Sequence, residues 1–445
     1  MYSTNNYSSK ILFSYSKHRI SWMFFLYIYI LVATIFQLLF LEYSIVGIMS
    51  FVLLSIISVY SVEFELAHPL TLYVPIFTLY SIGYPVLKLL DIDIVTVASL
   101  DPRTLITEWI AICSFIIFMG NKRIKYDDSL FAKKSHVTFL IKIAYVLISA
   151  LTLMGFVIVM KNGYLTKNQI ADNSNILLRI SELASYSFVI FALLLNSQPC
   201  INRKRKLYSF AFGAVLMLLG MLINGERSLI LNYLICFLIY YSVLSKKLDI
   251  KKIILIVIAL VIFFGISSSL KMAFVRGSVA KIEEKFIISF FKSDFFSASF
   301  NLNYLFLNER IWAYKYGTSY LYAFLSPIDF LIPGIKNLSL ARWNQSTFWP
   351  LSSTGYGFTI VGEALMNFGY IGVFAFNVFF ALLTKKIYYK SNISRYHFIR
   401  YLFFISLSMY AVRADFANIL SPFFKYSILI TFVLAWIENS IKKSK

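Results

Sequence analysis

Residues Trp22 to Phe40 read WMFFLYIYILVATIFQLLF, an apolar run without a single charged side chain. A helix needs about 20 apolar residues to cross the hydrocarbon of a bilayer, and this run sits in a span read near 20–41. It is too long for the short core of a cleaved leader, and no small-residue cleavage site follows it. It therefore reads as a helix that stays in the membrane.

The same pattern recurs along the chain. Spans are expected near 20–41, 43–62, 69–90, 104–120, 137–160, 176–197, 207–224, 228–245, 252–270, 358–384, 397–412 and 416–438. The composition agrees: 59% of the 445 residues are hydrophobic and 14% charged, and the mean hydropathy is +0.73. A soluble domain carries about a quarter charged residues, so there is too little polar surface here to cover a water-soluble globule. The expected fold is an all-α polytopic membrane protein of about 12 transmembrane helices, one integral domain over 1–445.

The net charge of +21 would suggest nucleic acid in a soluble chain. Here the basic residues sit in short loops between apolar spans, where Lys and Arg mark the cytoplasmic side. With the N-terminus inside, Lys122-Arg123-Ile124-Lys125, Arg203-Lys204-Arg205-Lys206, Lys246-Lys247, Lys251-Lys252, Lys385-Lys386 and Lys442-Lys443 all fall on one side. Both termini are then cytoplasmic, and no nucleic-acid partner is expected. Cys113, Cys200 and Cys236 have neither disulfide nor metal-like spacing.

One connection is long. Residues 271–357 form a large outer loop between the ninth and tenth spans, and loops of that length are usually functional or structured. Its aromatics, among them Phe286, Phe290, Tyr304, Trp312, Tyr316, Tyr320, Trp343 and Trp349, are too many for a disordered linker. The stretch from Lys281 to Lys292 sets Ile282, Phe286 and Phe290 on one helical face, which suits the membrane interface.

Phosphate-loop, zinc-protease, nucleophile-elbow and dinucleotide motifs are absent. His18, His68, His136 and His397 all fall on the inner side, which excludes a histidine catalyst in the outer loop. Chemistry outside is left to Arg, Asp and Glu. Arg227, in Asn224-Gly225-Glu226-Arg227 at an outer turn, is either a snorkelling helix end or a guanidinium placed for a lipid phosphate. Lys271 and Arg276-Gly277 follow the ninth span at the same depth and are either a simple stop to the apolar run or further cations placed for a phosphate. Arg413-Ala414-Asp415 forms a tight outer turn, where ionisable residues are costly unless paired or used.

The most informative stretch runs from Ser352 to Gly372. It carries Gly355, Gly357, Gly362, Gly369 and Gly372, with Glu363 and Asn367 four apart on one helical face at the membrane edge. It is either a small-residue packing seam with Glu363 paired to an arginine, or a site built on a buried carboxylate beside cations.

In these residues the chain resembles the O-antigen polymerases, the Wzy-type oligosaccharide repeat-unit polymerases. The resemblance rests on Gly225-Glu226-Arg227, Arg276-Gly277, Gly362-Glu363 through Asn367-Phe368-Gly369 and Gly372, and Arg413 with Asp415, together with the span count and the single large outer loop. It covers nearly the whole chain through short motifs. It implies a bundle like those of the GT-C glycosyltransferases, in a bacterial inner membrane, with the active side periplasmic. It further implies transfer of a growing glycan from undecaprenyl diphosphate onto the next undecaprenyl-diphosphate-linked repeat unit. Partners would be that lipid-linked oligosaccharide, membrane lipid and a chain-length regulator.

The energy for such a reaction must arrive in the substrate, since ATP is absent outside the cytoplasm. Under this reading Arg227, Arg276, Arg413 and Lys271 hold the diphosphate, whose charge grows as the glycosidic bond breaks. Glu363 or Asp415 serves as base or orienting group, with Glu226, Asn367, Arg342 and Arg310 in support. No cofactor is required; Asp294, Asp329 and Asp415 are the carboxylates that can hold Mg²⁺ with water and phosphate. An O-antigen ligase is the nearest alternative, but a histidine is expected in its large loop and 271–357 contains none. A flippase for the same lipid-linked sugar should have short outer loops, and a secondary transporter should show paired interrupted helices.

Overall fold

The structure, a computed structural model, describes residues 5–92, 99–127, 129–132, 135–161, 176–224, 227–244, 295–332, 334–350 and 357–444. Its described residues are helical and contain no strand. In chain order the long helices are α1 (Asn5–Leu39), α2 (Ser44–Ser61), α3 (Pro69–Leu89), α4 (Arg103–Met119), α5 (Thr138–Lys161), α6 (Ile176–Asn196), α7 (Arg203–Asn224) and α8 (Arg227–Leu244). Three short helices follow: α9 (Ser297–Leu307), α10 (Thr318–Leu325) and α11 (Leu340–Phe348). The chain closes with α12 (Ile360–Lys390), α13 (Arg395–Ala411), α14 (Ala417–Pro422), the π-helical turn Phe423–Ile428 and α15 (Leu429–Lys443).

A helix stands at every span expected from hydropathy except 252–270, which, with the interfacial stretch 281–292, lies outside the described residues. Among the described residues, six helices are long and apolar enough to cross a membrane: those over 22–39, 44–61, 69–89, 138–158, 360–390 and 417–443. The protein is a multi-pass membrane protein. Its helices are what lipid demands, because a backbone without water must bond to itself.

Local chemistry sets the helix ends. Pro69 opens α3, where its missing N–H costs nothing, and His68 Nδ1 accepts from Leu70 N at 3.2 Å. Ser394 Oγ accepts from His397 N to start α13. Polar side chains inside the bundle pair with one another: Ser81 Oγ donates to Glu108 Oε2 at 3.2 Å between α3 and α4.

The two ends of the bundle differ. At one, Arg123 grips Glu63 at 2.8 Å, Lys385 Nζ donates to Phe118 O, and Arg395 Nη1 donates to Gln198 Oε1 at 3.1 Å. Glu438 there accepts from Tyr396 and Ser135. The basic runs 122–125, 203–206, 385–386 and 442–443 therefore share this end, and His68 and His397 lie there too. Residues 99–104, 295–332, 334–350 and 412–416 gather at the other.

Helix α9, within the long connection, is buried against α3 and α4. Ser299 Oγ donates to Tyr80 O at 2.8 Å and accepts from Tyr84 N. Asn303 Oδ1 accepts from Asp101 N at 2.7 Å and from Thr104. Its amide thus fixes the start of α4, where Arg103 bridges Asp101 and Glu309 at 2.7 and 2.6 Å.

Candidate functional site

Helix α12 is two helices. Phe368 (φ −145°, ψ 24°) and Gly369 (φ 62°, ψ −152°) break it after Asn367. That backbone region suits glycine alone. The bend is tight: a Cβ on Gly372 would sit 2.5 Å from the Ala364 carbonyl oxygen, two residues that a straight helix would hold about 12 Å apart. Residues 360–367 are wholly buried, whereas Phe368, Tyr370 and Ile371 are exposed.

A broken helix leaves carbonyls without partners, and the segment before α10 supplies them. Lys315 N donates to Met366 O at 2.8 Å. Gly317 N donates to Asn367 Oδ1 at 2.8 Å, and Asn367 Nδ2 donates to Ser319 Oγ at 2.7 Å and to Glu363 O at 2.8 Å. One fully buried carboxamide thereby ties the loop to the broken end.

Glu363 carries the connection onward. Its Oε1 accepts from Ser319 Oγ at 2.7 Å and its Oε2 from Phe416 N at 2.6 Å. Among the described residues no cation lies within ion-pair distance of it, so of the two sequence readings its pairing with an arginine is not what these residues form. Hydrogen bonds to a charged acceptor contribute about 1.5–3 kcal/mol each, and two of them hold this carboxylate under α10.

Asp415 holds the same turn from its other side. Its Oδ2 accepts from Ser339 Oγ at 3.1 Å and Ala341 N at 3.4 Å, at the start of α11, and its Oδ1 from Asn418 N at 3.3 Å and from the Asn418 amide. Burial pushes the Asp415 carboxyl up, against the bonds from Asn418, Ser339 and Ala341 that pull it down. The two carboxylates feel each other's charge across the turn. On the same turn, half-buried Arg413 lays its guanidinium 4.9 Å from the Tyr410 ring centre, and its carbonyl accepts from Phe358 N at 3.2 Å. Glu363, Asn367, Arg413 and Asp415 are thus brought to one place.

The other candidates are distributed differently. Helix α8 begins at Arg227 and runs antiparallel to α13, with Cys236 Sγ donating to Leu402 O and Ser406 Oγ. Nine residues back, about 13 Å along the axis, the backbone of Arg227 reaches the level of the 412–416 turn. Arg342 is exposed on α11, whose start Asp415 holds. Arg310 lies on the 3-10 turn Glu309–Ile311, which the Glu309–Arg103 pair ties to α4 rather than to the turn. Glu226, Lys271, Arg276 and Asp294 lie outside the described residues.

Two hydroxyls escape sequence reasoning, which reads Tyr320 and Tyr322 only as aromatics of a structured loop. Ser319 and Ser339 are single hydroxyls with no pattern to mark them. Tyr320 stacks on Phe376 at 5.1 Å, its buried hydroxyl without a partner among the described residues; burial and the nearby Glu363 push this phenol well up, so it stays a neutral donor. Tyr322 is pushed up to about 12 by burial and by Asp415 and Asp329. As for a metal, Asp415 already accepts four donors, and Asp329 is bracketed by Lys336 and Lys425 at 3.5 Å each. Neither presents an uncommitted carboxylate to a divalent ion.

Residues 18–445 match the family model of the O-antigen polysaccharide polymerase Wzy. The chain belongs to that family. No curated protein and no solved structure matches it. Membership in the Wzy family carries polymerisation of O-antigen polysaccharide, a glycosyltransferase-type activity of lipopolysaccharide biosynthesis. Within this Wzy chain the match spans the broken helix, the 412–416 turn and every motif on which the resemblance rests.

Proposed function

We propose that the chain moves a growing glycan from undecaprenyl diphosphate onto the next undecaprenyl-diphosphate-linked repeat unit, at the periplasmic face of a bacterial inner membrane. The helices lie as twelve spans with both termini cytoplasmic and 271–357 as the large outer loop. The separation of the basic runs from the 412–416 turn supports this orientation.

The observation that carries the reading is the turn itself. Two buried carboxylates, Glu363 and Asp415, fix its backbone and two loop helices at once, and Arg413 stands on that turn two residues before Asp415. In the reaction, a hydroxyl of the acceptor sugar bonds to the anomeric carbon as the bond to the diphosphate oxygen breaks, and the hydroxyl proton passes to the departing diphosphate. Arg413, with Arg227, Arg276 and Lys271, takes up the charge that grows on the departing diphosphate. Of the two roles open to Glu363 and Asp415, base or orienting group, this geometry favours the second, since the oxygens of both already accept donors. Glu226, Asn367, Arg342 and Arg310 support the arrangement, Asn367 by holding Ser319 on Glu363. The donor supplies the energy, so no cofactor is invoked, and a chain-length regulator is the expected protein partner.

The lipopolysaccharide of a deletion strain tests this. A lipid core bearing a single repeat unit, restored to a ladder by the wild-type gene, is the expected result. A bare core would instead point to ligation or lipid flipping.

A further inference from the structure

Lys425 stands within the last apolar helical segment, Ala417–Lys443, on the π-helical turn Phe423–Ile428. Such turns are rare and frequent at functional sites, and an ammonium in an apolar span is costly unless it is used. Its Nζ lies 3.5 Å from Asp329 Oδ1, while Lys336 Nζ approaches Asp329 Oδ2 from the other side, also at 3.5 Å. Asp329 belongs to the 3-10 segment Ser326–Leu331, pinned to the last helix where Ser421 Oγ donates to Ser326 O at 3.2 Å.

This group is not a closed ion pair. Charge-assisted bonds run near 2.7–2.9 Å, so both contacts are long, and one carboxylate faces two ammoniums. The Lys336 side chain is 47% exposed and that of Lys425 29%. A net positive charge is left over, open to a ligand. Tyr322 lies within the fields of Asp415, Asp329 and Arg342 together, so the group adjoins the 412–416 turn. On the same helix Phe424, Leu429 and Phe432 are exposed, which gives an apolar track beside the charge. A lipid-borne phosphate fits that combination better than a soluble one.

We propose that Lys425 and Lys336, spaced by Asp329, form a second phosphate site, which holds the diphosphate headgroup of the acceptor lipid. The inference rests on the polymerase reading, in which two diphosphate lipids meet. The donor's diphosphate is released and calls for the planar fork of arginine; the acceptor's is only anchored, and an ammonium suffices as a point charge. No bond is made or broken at this second site.

The test counts polyprenyl diphosphate molecules bound to the purified full chain in phosphatidylcholine nanodiscs, by native mass spectrometry. Wild type should hold two. Lys336→Gln/Lys425→Gln should hold one, the second binding at least about tenfold more weakly. Asp329→Asn should still hold two, because it removes the ion pairs and keeps both cations. Should the lysine variant fail to fold, adding Asp329→Asn removes the half-buried carboxylate left unpaired and restores a usable protein. Two tightly bound lipids in the lysine variant would overturn the site. So would loss of the second lipid in Asp329→Asn, the mark of a structural latch. Displacement by phosphatidylglycerol would reassign the site to bulk lipid, and displacement by inorganic diphosphate to a soluble anion; either overturns the acceptor assignment. Polymer formation is scored in parallel. If the chain makes none while the lysines still govern the second lipid, it is the polymerase reading that fails.

Discussion

The backbone N–H of Phe416 donates to Glu363 Oε2 at 2.6 Å, across the gap between the broken helix and the turn that follows α13. A carboxylate near the start of one helix thereby sets the backbone that carries Arg413 and Asp415. Polymerisation should be sensitive to that bond through orientation rather than proton transfer.

Glu363→Gln separates the two. The amide oxygen can face Phe416 N while its NH₂ donates to Ser319 Oγ, so both contacts survive in an isosteric side chain. Normal protein level with a shortened but present ladder is expected. Complete loss of polymer at normal protein level would make Glu363 a base. Glu363→Ala leaves Phe416 N and Ser319 Oγ without this acceptor at a buried site, about 1–3 kcal/mol each, and should deplete the protein.

Asn367 should behave as a structural keystone. Asn367→Ala removes the acceptor for Gly317 N and the donor to Ser319, so thermal stability in detergent and polymer length should fall together. Asn367→Asp keeps the acceptor and loses the donor, and should be intermediate. Gly369→Ala places a side chain at φ 62°, at a cost of about 1–3 kcal/mol. An unchanged melting temperature for Gly369→Ala would mean that the break is not held in the native protein.

Asp415 gives the pH dependence. Burial raises its folded value above the ordinary aspartate value of 3.8, so the protonated form is favoured by folding. Its contribution to stability is complete below about 3.8 and is lost as pH rises through the folded value. The wild-type melting temperature should therefore fall between acid and neutral pH by more than that of Asp415→Asn, which cannot titrate. Parallel curves for the two proteins would show that Asp415 is not shifted upward.

Topology can be read with a reporter active only outside the cytoplasm. Fusions after Gly317 should be active, and fusions after Arg205 or Lys386 inactive. Activity after Lys386 contradicts the orientation proposed here.

Much of the fold was legible because lipid imposes one rule on every span. Hydropathy alone locates helices such as α2 and α5, and the four basic runs among the described residues share one end of the bundle, while Lys246-Lys247 and Lys251-Lys252 lie outside those residues. The break in α12 was half legible: Gly369 and Gly372 stood out, but a window fitted to a full crossing reads straight through them. Helix α9 escaped for a related reason. It is short and carries Ser299, Asn301 and Asn303, whose polarity lowers the hydropathy although the structure buries all three. The spacing of Glu363 and Asn367 placed both on one face, as found. Their partners were not readable, because Ser319 lies 44 positions from Glu363 and Ser339 lies 76 from Asp415. No local pattern encodes such a contact.

In the proposed reaction the 412–416 turn presents Arg413 to the departing diphosphate. Purified wild type and Arg413→Ala, incubated with lipid-linked repeat units and matched for melting temperature, test it most directly. Wild type should give a ladder, Arg413→Ala at most a trace of dimer, and Arg413→Lys partial recovery, since it restores the charge without the planar fork. A full ladder from Arg413→Ala at wild-type rate would contradict it.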